Sequence, residues 1–176
     1  MPKRFRNIAG DRSGLALVEF AVALPILLVL CLGGFEATTV VGAYQRVGKA
    51  AQTIADLVAQ HNSVDSPTLS NFCTGAGLVM SPYPATTLAA SVASVTRAAG
   101  GALTVDWQDV SCGGAPAMAS PTTVAASFVP NPGDSVIVVQ ASYTYTAATS
   151  FVLPSGLSFS QYGYARPRNV ATVTLN

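Results

Sequence analysis

The side chains that could carry out catalysis or bind a metal are few, and their spacing suits neither task. His61 is the only histidine, and it lies where a long helical pattern ends, which is typical of a polar residue at a helix terminus. Asp106 and Asp109 flank Trp107 in a segment with the composition of a strand, where alternation directs the two carboxylates apart. The cysteines show no Cys-x-x-Cys spacing. We therefore expect no catalytic residues, no metal site and no cofactor.

One carboxylate stands out by its surroundings, because Glu19 lies inside an apolar segment. From Leu15 to Phe35 the 21 residues contain no other charged side chain. As an α-helix they would extend about 31 Å, close to the roughly 30 Å of a bilayer core. A charge in hydrocarbon is costly and by default indicates a function. Two interpretations remain: Glu19 has a partner of opposite charge, or it lies near the headgroups and snorkels to them.

The composition predicts one modest domain attached to a membrane segment. Of the 176 residues, 50% are hydrophobic and 10% are charged, and the formal net charge is +1. Basic residues in the body of the chain are scattered, which argues against a nucleic-acid interface. Glu36 follows the apolar segment, and several basic residues precede it: Lys3, Arg4, Arg6 and Arg12. The positive-inside tendency thus places the N-terminus in the cytoplasm and residues 37–176 outside.

Two other interpretations of the apolar segment agree less well with the sequence. A secretory signal peptide would have a shorter apolar region and an A-x-A-like cleavage site, which the stretch from Gly33 to Thr38 lacks. A lipoprotein signal would have a small residue before the modified cysteine, but Leu30 precedes Cys31. We therefore expect a retained membrane helix in which Cys31 is a small apolar residue.

The helical pattern continues beyond the apolar segment. From Val40 to Val58 apolar residues recur at steps of three and four, which is the period of an amphipathic helix. One helix over residues 15–60 would be roughly 69 Å long. Its first half is apolar all round, and its second half has one face to bury. Pro25 removes one internal hydrogen bond and can bend this helix.

The sequence after His61 predicts a small α+β head. Ser66 as N-cap and Pro67 in the first turn predict a short helix through PTLSNFCTGAGLVM. Segments rich in Val, Ile, Tyr and Thr predict the strands of one small, mostly antiparallel sheet, at residues 88–96, 102–110, 134–146 and 169–176. Gly100-Gly101 predicts a hairpin-like turn, and residues 111–133 predict a long irregular link. The amphipathic half of the long helix is the available cover for the sheet.

Two of the three cysteines fall in the outward part of the chain. Cys73 and Cys112 would there lie in an oxidising compartment, which allows a disulfide. We expect them to pair; the alternative is two buried free thiols.

The N-terminal segment also resembles a known class of assembly proteins. A basic leader, Gly14, the hexapeptide LALVEF and an apolar run with Pro25 follow one another as in the processing and assembly segment of prepilins. More narrowly, RSGLALVEFAVALPILLVL is similar to the N-terminus of TadE-like minor pilins, or pseudopilins, of the tight-adherence (Tad/Flp) type IV pilus system. The resemblance covers about residues 3–60, and it implies a structural protein rather than an enzyme.

The resemblance implies how the chain is divided and processed. The parts would be a cleaved basic leader (1–14), a transmembrane and assembly helix (15–36), its amphipathic extension (37–60) and a periplasmic head (61–176). A prepilin peptidase would cut between Gly14, a small residue suited to an extended scissile bond, and Leu15. The new Leu15 amine is four residues from Glu19 on one helix face. This amine, in the same chain or an adjacent subunit, would neutralise the Glu19 carboxylate.

Phe20 and Pro25 belong to the same assembly segment in this comparison. Phe20 follows Glu19 as it does in the prepilin motif, and the proline is either part of assembly or a tolerated bend in a membrane helix. The site residues implied are therefore Gly14 and Leu15 for processing, and Glu19, Phe20 and Pro25 for assembly.

Partners and location follow from the same resemblance. The chain would be a single-pass protein of the bacterial inner membrane, with a cytoplasmic N-terminus and a periplasmic head, and later part of a cell-surface pilus. Its partners would be the prepilin peptidase, other major and minor pilins, the pilus assembly platform and the lipid bilayer. The function implied is assembly or initiation of an adhesion pilus. The alternative is a bitopic membrane protein whose head binds a partner or ligand and never enters a filament.

Overall fold

A computed structural model describes residues 14–147 and 156–176 and has an α+β fold, as the sequence predicts. The helices are α1 (Leu15–Ala59), α2 (Ser66–Gly77) and α3 (Pro121–Ala125). The strands are β1 (Ser63–Val64), β2 (Ala89–Arg97), β3 (Leu103–Cys112), β4 (Ser135–Tyr145), β5 (Leu157–Ala165) and β6 (Thr174–Leu175). Apart from Gly14, the expected leader lies outside the described residues.

The long helix α1 is continuous over 45 residues, and its two halves have different surroundings. Large apolar side chains from Leu15 to Phe35 are 38–73% exposed. After them one face of the helix is buried, at Ala43, Val47, Ala50, Ala51, Ile54, Ala55, Val58 and Ala59. Pro25 lies inside the helix without ending it. The predicted apolar first half and amphipathic second half are thus confirmed.

Four strands form an antiparallel sheet in the order β3-β2-β4-β5. The turn between β2 and β3 is closed by a 2.8 Å hydrogen bond from the Gly101 amide to the Ala98 carbonyl. Gly101 has φ +86°, a left-handed conformation that glycine adopts at little cost. The predicted hairpin is therefore confirmed.

A close contact between α1 and β5 fixes the helix on the sheet. A Cβ atom at Gly163 would lie 2.6 Å from the amide nitrogen of Gln52, so only glycine lets the two backbones meet. The Gln52 side chain donates to the Tyr164 carbonyl at 2.9 Å and accepts from its amide at 3.2 Å. Further down the helix, Tyr44 packs on Phe159 with ring centroids 5.5 Å apart. Helix and strand therefore lie side by side.

The second face of the sheet is covered by the link that the sequence predicts to be irregular. Within it, Met118, Ala125 and Val129 pack against Val136 and Val138 of β4 in a core cluster of their own. The link also contains the short helix α3. The sheet is therefore covered on both faces, by α1 on one and by this link on the other.

The predicted strand over residues 169–176 is wrong except for β6, which pairs in parallel with β1. The rest of this tail lies against the main core, where Val173 is fully buried. Its carbonyl accepts a 2.7 Å hydrogen bond from Trp107 Nε1. The Val and Thr alternation of the tail thus reflects contact with the core rather than pairing in the sheet.

The start of α2 also differs from the prediction, because Asp65 rather than Ser66 is the N-cap. Its carboxylate accepts a 2.8 Å hydrogen bond from the Thr68 amide. Hydrogen bonding by the side chain and then the amide of Thr68 holds the pKa of Asp65 below its ordinary value. At its other end α2 is joined to β3 by a disulfide between Cys73 and Cys112, with Cα atoms 5.7 Å apart. The helix is therefore fixed at both ends.

Candidate membrane and assembly surface

The apolar half of α1 forms a surface with no cover from the rest of the described chain. Its most apolar window has a mean hydropathy of 2.7, and none of that window is buried. Neighbouring positions such as Leu27 and Leu28 are 55% and 53% exposed, although they point in different directions around the helix. A surface that is apolar on every side must be covered on every side. By length and composition, lipid or a bundle of other helices could provide that cover.

Glu19 is the single acidic group on this surface. Its side chain is exposed, and across residues 14–147 and 156–176 no hydrogen bond or salt bridge reaches its carboxylate. Leu15 lies one turn earlier on the same face of α1. Next to Glu19, the Phe20 side chain is 59% exposed. The structure thus leaves the carboxylate available to a partner outside this polypeptide segment.

Gly14 lies at the start of α1 in a helical conformation, with φ −79° and ψ −17°. Its carbonyl accepts a 3.2 Å hydrogen bond from the Val18 amide. No atom of the described chain lies within 4 Å of where its Cβ would be. The extended backbone expected at a scissile bond is therefore not the conformation seen.

Pro25 shapes the middle of the apolar half. It lines a shallow apolar groove of about 300 Å³ together with Ile26, Val29 and Leu30. Because proline has no amide hydrogen, one carbonyl of the preceding turn lacks its helical donor. The groove is therefore a local irregularity on the surface of the apolar half of α1.

The apolar half of α1 leads directly into a recess of about 270 Å³, which we call the base recess. It is lined by Phe35, Thr39, Pro82, Tyr83, Pro84, Thr86, Thr87, Tyr143, Thr144, Tyr145 and Thr146. Tyr145 Oη and Thr39 Oγ1 are 2.9 Å apart, and Tyr143 Oη donates to the Pro84 carbonyl at 3.0 Å. Burial raises the pKa of Tyr143. In the sequence, the YTYT segment indicates only a strand. Sequence reasoning therefore did not identify this recess.

The carboxylates of the head have structural partners. Asp109 accepts hydrogen bonds from Ser66 Oγ at 2.6 Å and from the Ser111 amide at 2.8 Å. Burial alone would raise the pKa of Asp109, but the hydrogen bonds from the Ser111 hydroxyl, the Ser66 hydroxyl and the Ser111 amide outweigh it and hold the pKa below its ordinary value. Asp106 instead accepts from Ser94 and Thr96. The two carboxylates are therefore directed to different partners and do not form a catalytic pair.

His61 lies just past the end of α1 and stacks on Phe72, with ring centroids 5.2 Å apart. Among the residues that the structure describes, no group of three or more His, Cys, Asp and Glu side chains could hold a metal ion.

Comparison with known proteins gives one match. Residues 14–56 match the TadE family, described as TadE-like protein. The matched range begins at Gly14 and ends inside α1, so it contains no part of the sheet. No curated protein and no solved structure matches the chain. The match confirms the resemblance to TadE-like proteins seen in the sequence, over the long N-terminal helix.

Proposed function

We propose that this chain is a minor pilin or pseudopilin that is made as a membrane precursor, cleaved after Gly14, and used to assemble or initiate a Tad/Flp-type adhesion pilus. The observation that carries the proposal is the TadE-like match, which begins at Gly14 and covers a helix whose apolar half is exposed all round. Such a helix suits a structural role, since it gives no site for chemistry and a large surface for packing.

Lipid in the precursor and helices of other pilins in the filament would cover the same surface of α1 in turn. In the precursor, lipid surrounds residues 15–36, and apart from the carbonyl that lacks its donor at Pro25 the helix bonds its backbone groups internally, as a bilayer requires. In the filament, helices of other pilins replace the lipid, and the small side chains Ala16, Ala21 and Ala23 allow close approach. The basic leader (1–14) remains in the cytoplasm until cleavage, and residues 37–176 are periplasmic before they reach the cell surface.

Cleavage requires a local change at the start of α1. The prepilin peptidase would need Gly14 in an extended form, so the first helical turn must open. Among the residues that the structure describes, one hydrogen bond, from the Val18 amide, holds the Gly14 carbonyl. Hydrolysis of the bond then leaves an ammonium group on Leu15, one turn from Glu19.

The mature N-terminus tests the proposal. Intact mass and N-terminal sequencing of protein from membranes with active prepilin peptidase should give a chain that begins at Leu15. Gly14→Val should leave the precursor intact because a branched side chain replaces the small residue at the scissile bond. Gly10→Val, a matched change within the leader, should be cleaved normally. A parent chain that still begins at Met1 would contradict the proposal and favour the bitopic alternative.

A further inference from the structure

The base recess lies at a defined height along α1, and this height has a physical meaning if the proposed membrane insertion is correct. Phe35 is twenty residues beyond Leu15, so it lies about 30 Å further along the helix, and Thr39 about 36 Å. A bilayer has a hydrocarbon core of about 30 Å and is about 40–45 Å thick with its headgroups. With Leu15 at the inner edge of the core, the recess lies at the level of the outer headgroups.

The lining of the base recess suits this level chemically. It consists of tyrosine, threonine, proline and phenylalanine side chains and contains no charged group. Tyrosine is enriched at membrane interfaces, because its ring is apolar and its hydroxyl is polar. Here the hydroxyls of Tyr143 and Tyr145 are bonded within the protein.

The base recess is also continuous with the membrane surface of α1. Phe35 belongs to the apolar half, is 56% exposed and forms one wall of the recess. Tyr83 contributes the opposite wall, and its hydroxyl lies against Gly42 of the same helix. Lipid that surrounds α1 at Phe35 would therefore meet the head at the recess, whose lining residues carry no charge.

We propose that the base recess is a lipid seat: the head rests on the outer leaflet of the membrane that α1 spans, with the glycerol and headgroup region of phospholipids in contact with Tyr83 and Thr86. This inference rests on the proposed membrane insertion and adds to it a second contact between protein and bilayer. Transfer into a filament then has to release the head from lipid as well as withdraw the helix.

Tryptophan fluorescence can locate the recess relative to the bilayer. The chain has one tryptophan, Trp107, which is in register with Ser94 and, across β2, with Ile137 of β4. Ile137 is eight residues from Tyr145, about 26 Å along the strand. Native Trp107 therefore provides a baseline far from the recess, against which an added tryptophan can be measured.

The test uses the full-length precursor in vesicles of phosphatidylethanolamine and phosphatidylglycerol that contain phosphatidylcholine brominated close to its headgroup. Thr86→Trp places the probe at the mouth of the recess, where the exposed Thr86 side chain makes no hydrogen bond within the described chain. Phe35→Trp reports insertion of the helix. Tyr162→Trp, at a side chain that is 39% exposed on β5 and further from the membrane, is the matched control on the head.

The added emission should be largely lost at positions 86 and 35 and retained at position 162. Loss at 35 without loss at 86 would overturn the lipid seat and leave membrane insertion intact. Loss at neither position would overturn both. Equal loss at 86 and 162 would mean that the head lies on its side, which also contradicts the seat. If Thr86→Trp does not fold, Pro84→Trp at the same rim serves the same purpose.

Discussion

Two carboxylates on α1 have opposite surroundings. Glu19 is exposed in the middle of apolar side chains, whereas Glu36 is fully buried where the helix meets the head. A carboxylate at membrane depth is stable only if a cation or several donors compensate its charge. For Glu19 the compensating group proposed is the Leu15 amine, which is created by cleavage, so the pair exists only in the mature protein.

Loss of the Glu19 charge should impair assembly without affecting insertion. Removing one partner of a buried ion pair costs about 3–5 kcal/mol, because the other charge stays buried without compensation. At about 1.4 kcal/mol per factor of ten, Glu19→Ala should reduce association with other pilins by about a hundredfold or more. Co-purification of the variant with pilus components, relative to its amount in the membrane fraction, measures this effect.

Glu19→Gln separates charge from shape, since it keeps the size of the side chain. If charge is what matters, the Gln variant should behave like the Ala variant. Normal co-purification of either variant would count against the ion pair and would favour a carboxylate that snorkels to the headgroups.

At this scale the sequence predicts what is local and misses what is assembled from distant segments. The roles proposed for Gly14, Leu15 and Glu19 depend on spacing within one helical turn, which the sequence displays directly. The base recess brings Phe35, Tyr83 and Tyr145 together from three separate segments. No short motif marks such a recess, because its members are neighbours only after the head has folded on α1.

Gly163 tests the contact between α1 and β5. Gly163→Ala would place a Cβ atom 2.6 Å from the Gln52 amide nitrogen, so helix and strand must separate. Overpacking of this kind typically costs about 1–3 kcal/mol. We expect denaturant unfolding of the detergent-solubilised protein, followed by circular dichroism, to show a loss of stability in that range.

Gly100→Ala is the matched control for this prediction. No atom lies within 4 Å of a Cβ at Gly100, and surface changes away from special features usually stay within about 0.5 kcal/mol. Equal stability of the two variants would show that the helix and the strand do not make the close contact described.

The same contact explains why the sequence does not predict β5. A half-buried strand is recognised by apolar residues at alternate positions. In β5 two of the positions that face α1 are Gln161 and Gly163, which are not apolar side chains, and at Gly163 the helix backbone is too close for any side chain. The inward pattern is therefore weak where the packing is tightest. By contrast, β4 has its Val and Ile residues on both covered faces and is predicted almost to its ends.

The disulfide joins a helix of the head to a strand of its sheet. The bridge between Cys73 and Cys112 links α2 to β3 over a sequence separation of 39. In the chain-entropy description, closing a loop of this size stabilises the fold by about 4 kcal/mol, an upper-end value. We expect Cys73→Ala and Cys112→Ala to lower the free energy of unfolding of the head by a similar amount or less.

Thiol labelling measures the bridge directly. In the denatured, unreduced protein a maleimide reagent should modify Cys31, which is a free cysteine in the structure, and neither of the other two. After reduction all three should react. Modification of Cys73 and Cys112 without reduction would refute the bridge. Any loss of unfolding free energy in the two alanine variants would then come from lost packing alone.

A final consequence concerns orientation about the long axis. Because α1 runs without a break from its apolar half into the core of the head, the rotational phase of the apolar half is transmitted to the sheet. One residue inserted between Phe35 and Gly42 would turn everything that follows by about 100° and move it by about 1.5 Å. The head therefore has a fixed orientation about the helix axis as well as a fixed height, and each neighbouring subunit of the proposed filament would meet the same side of it.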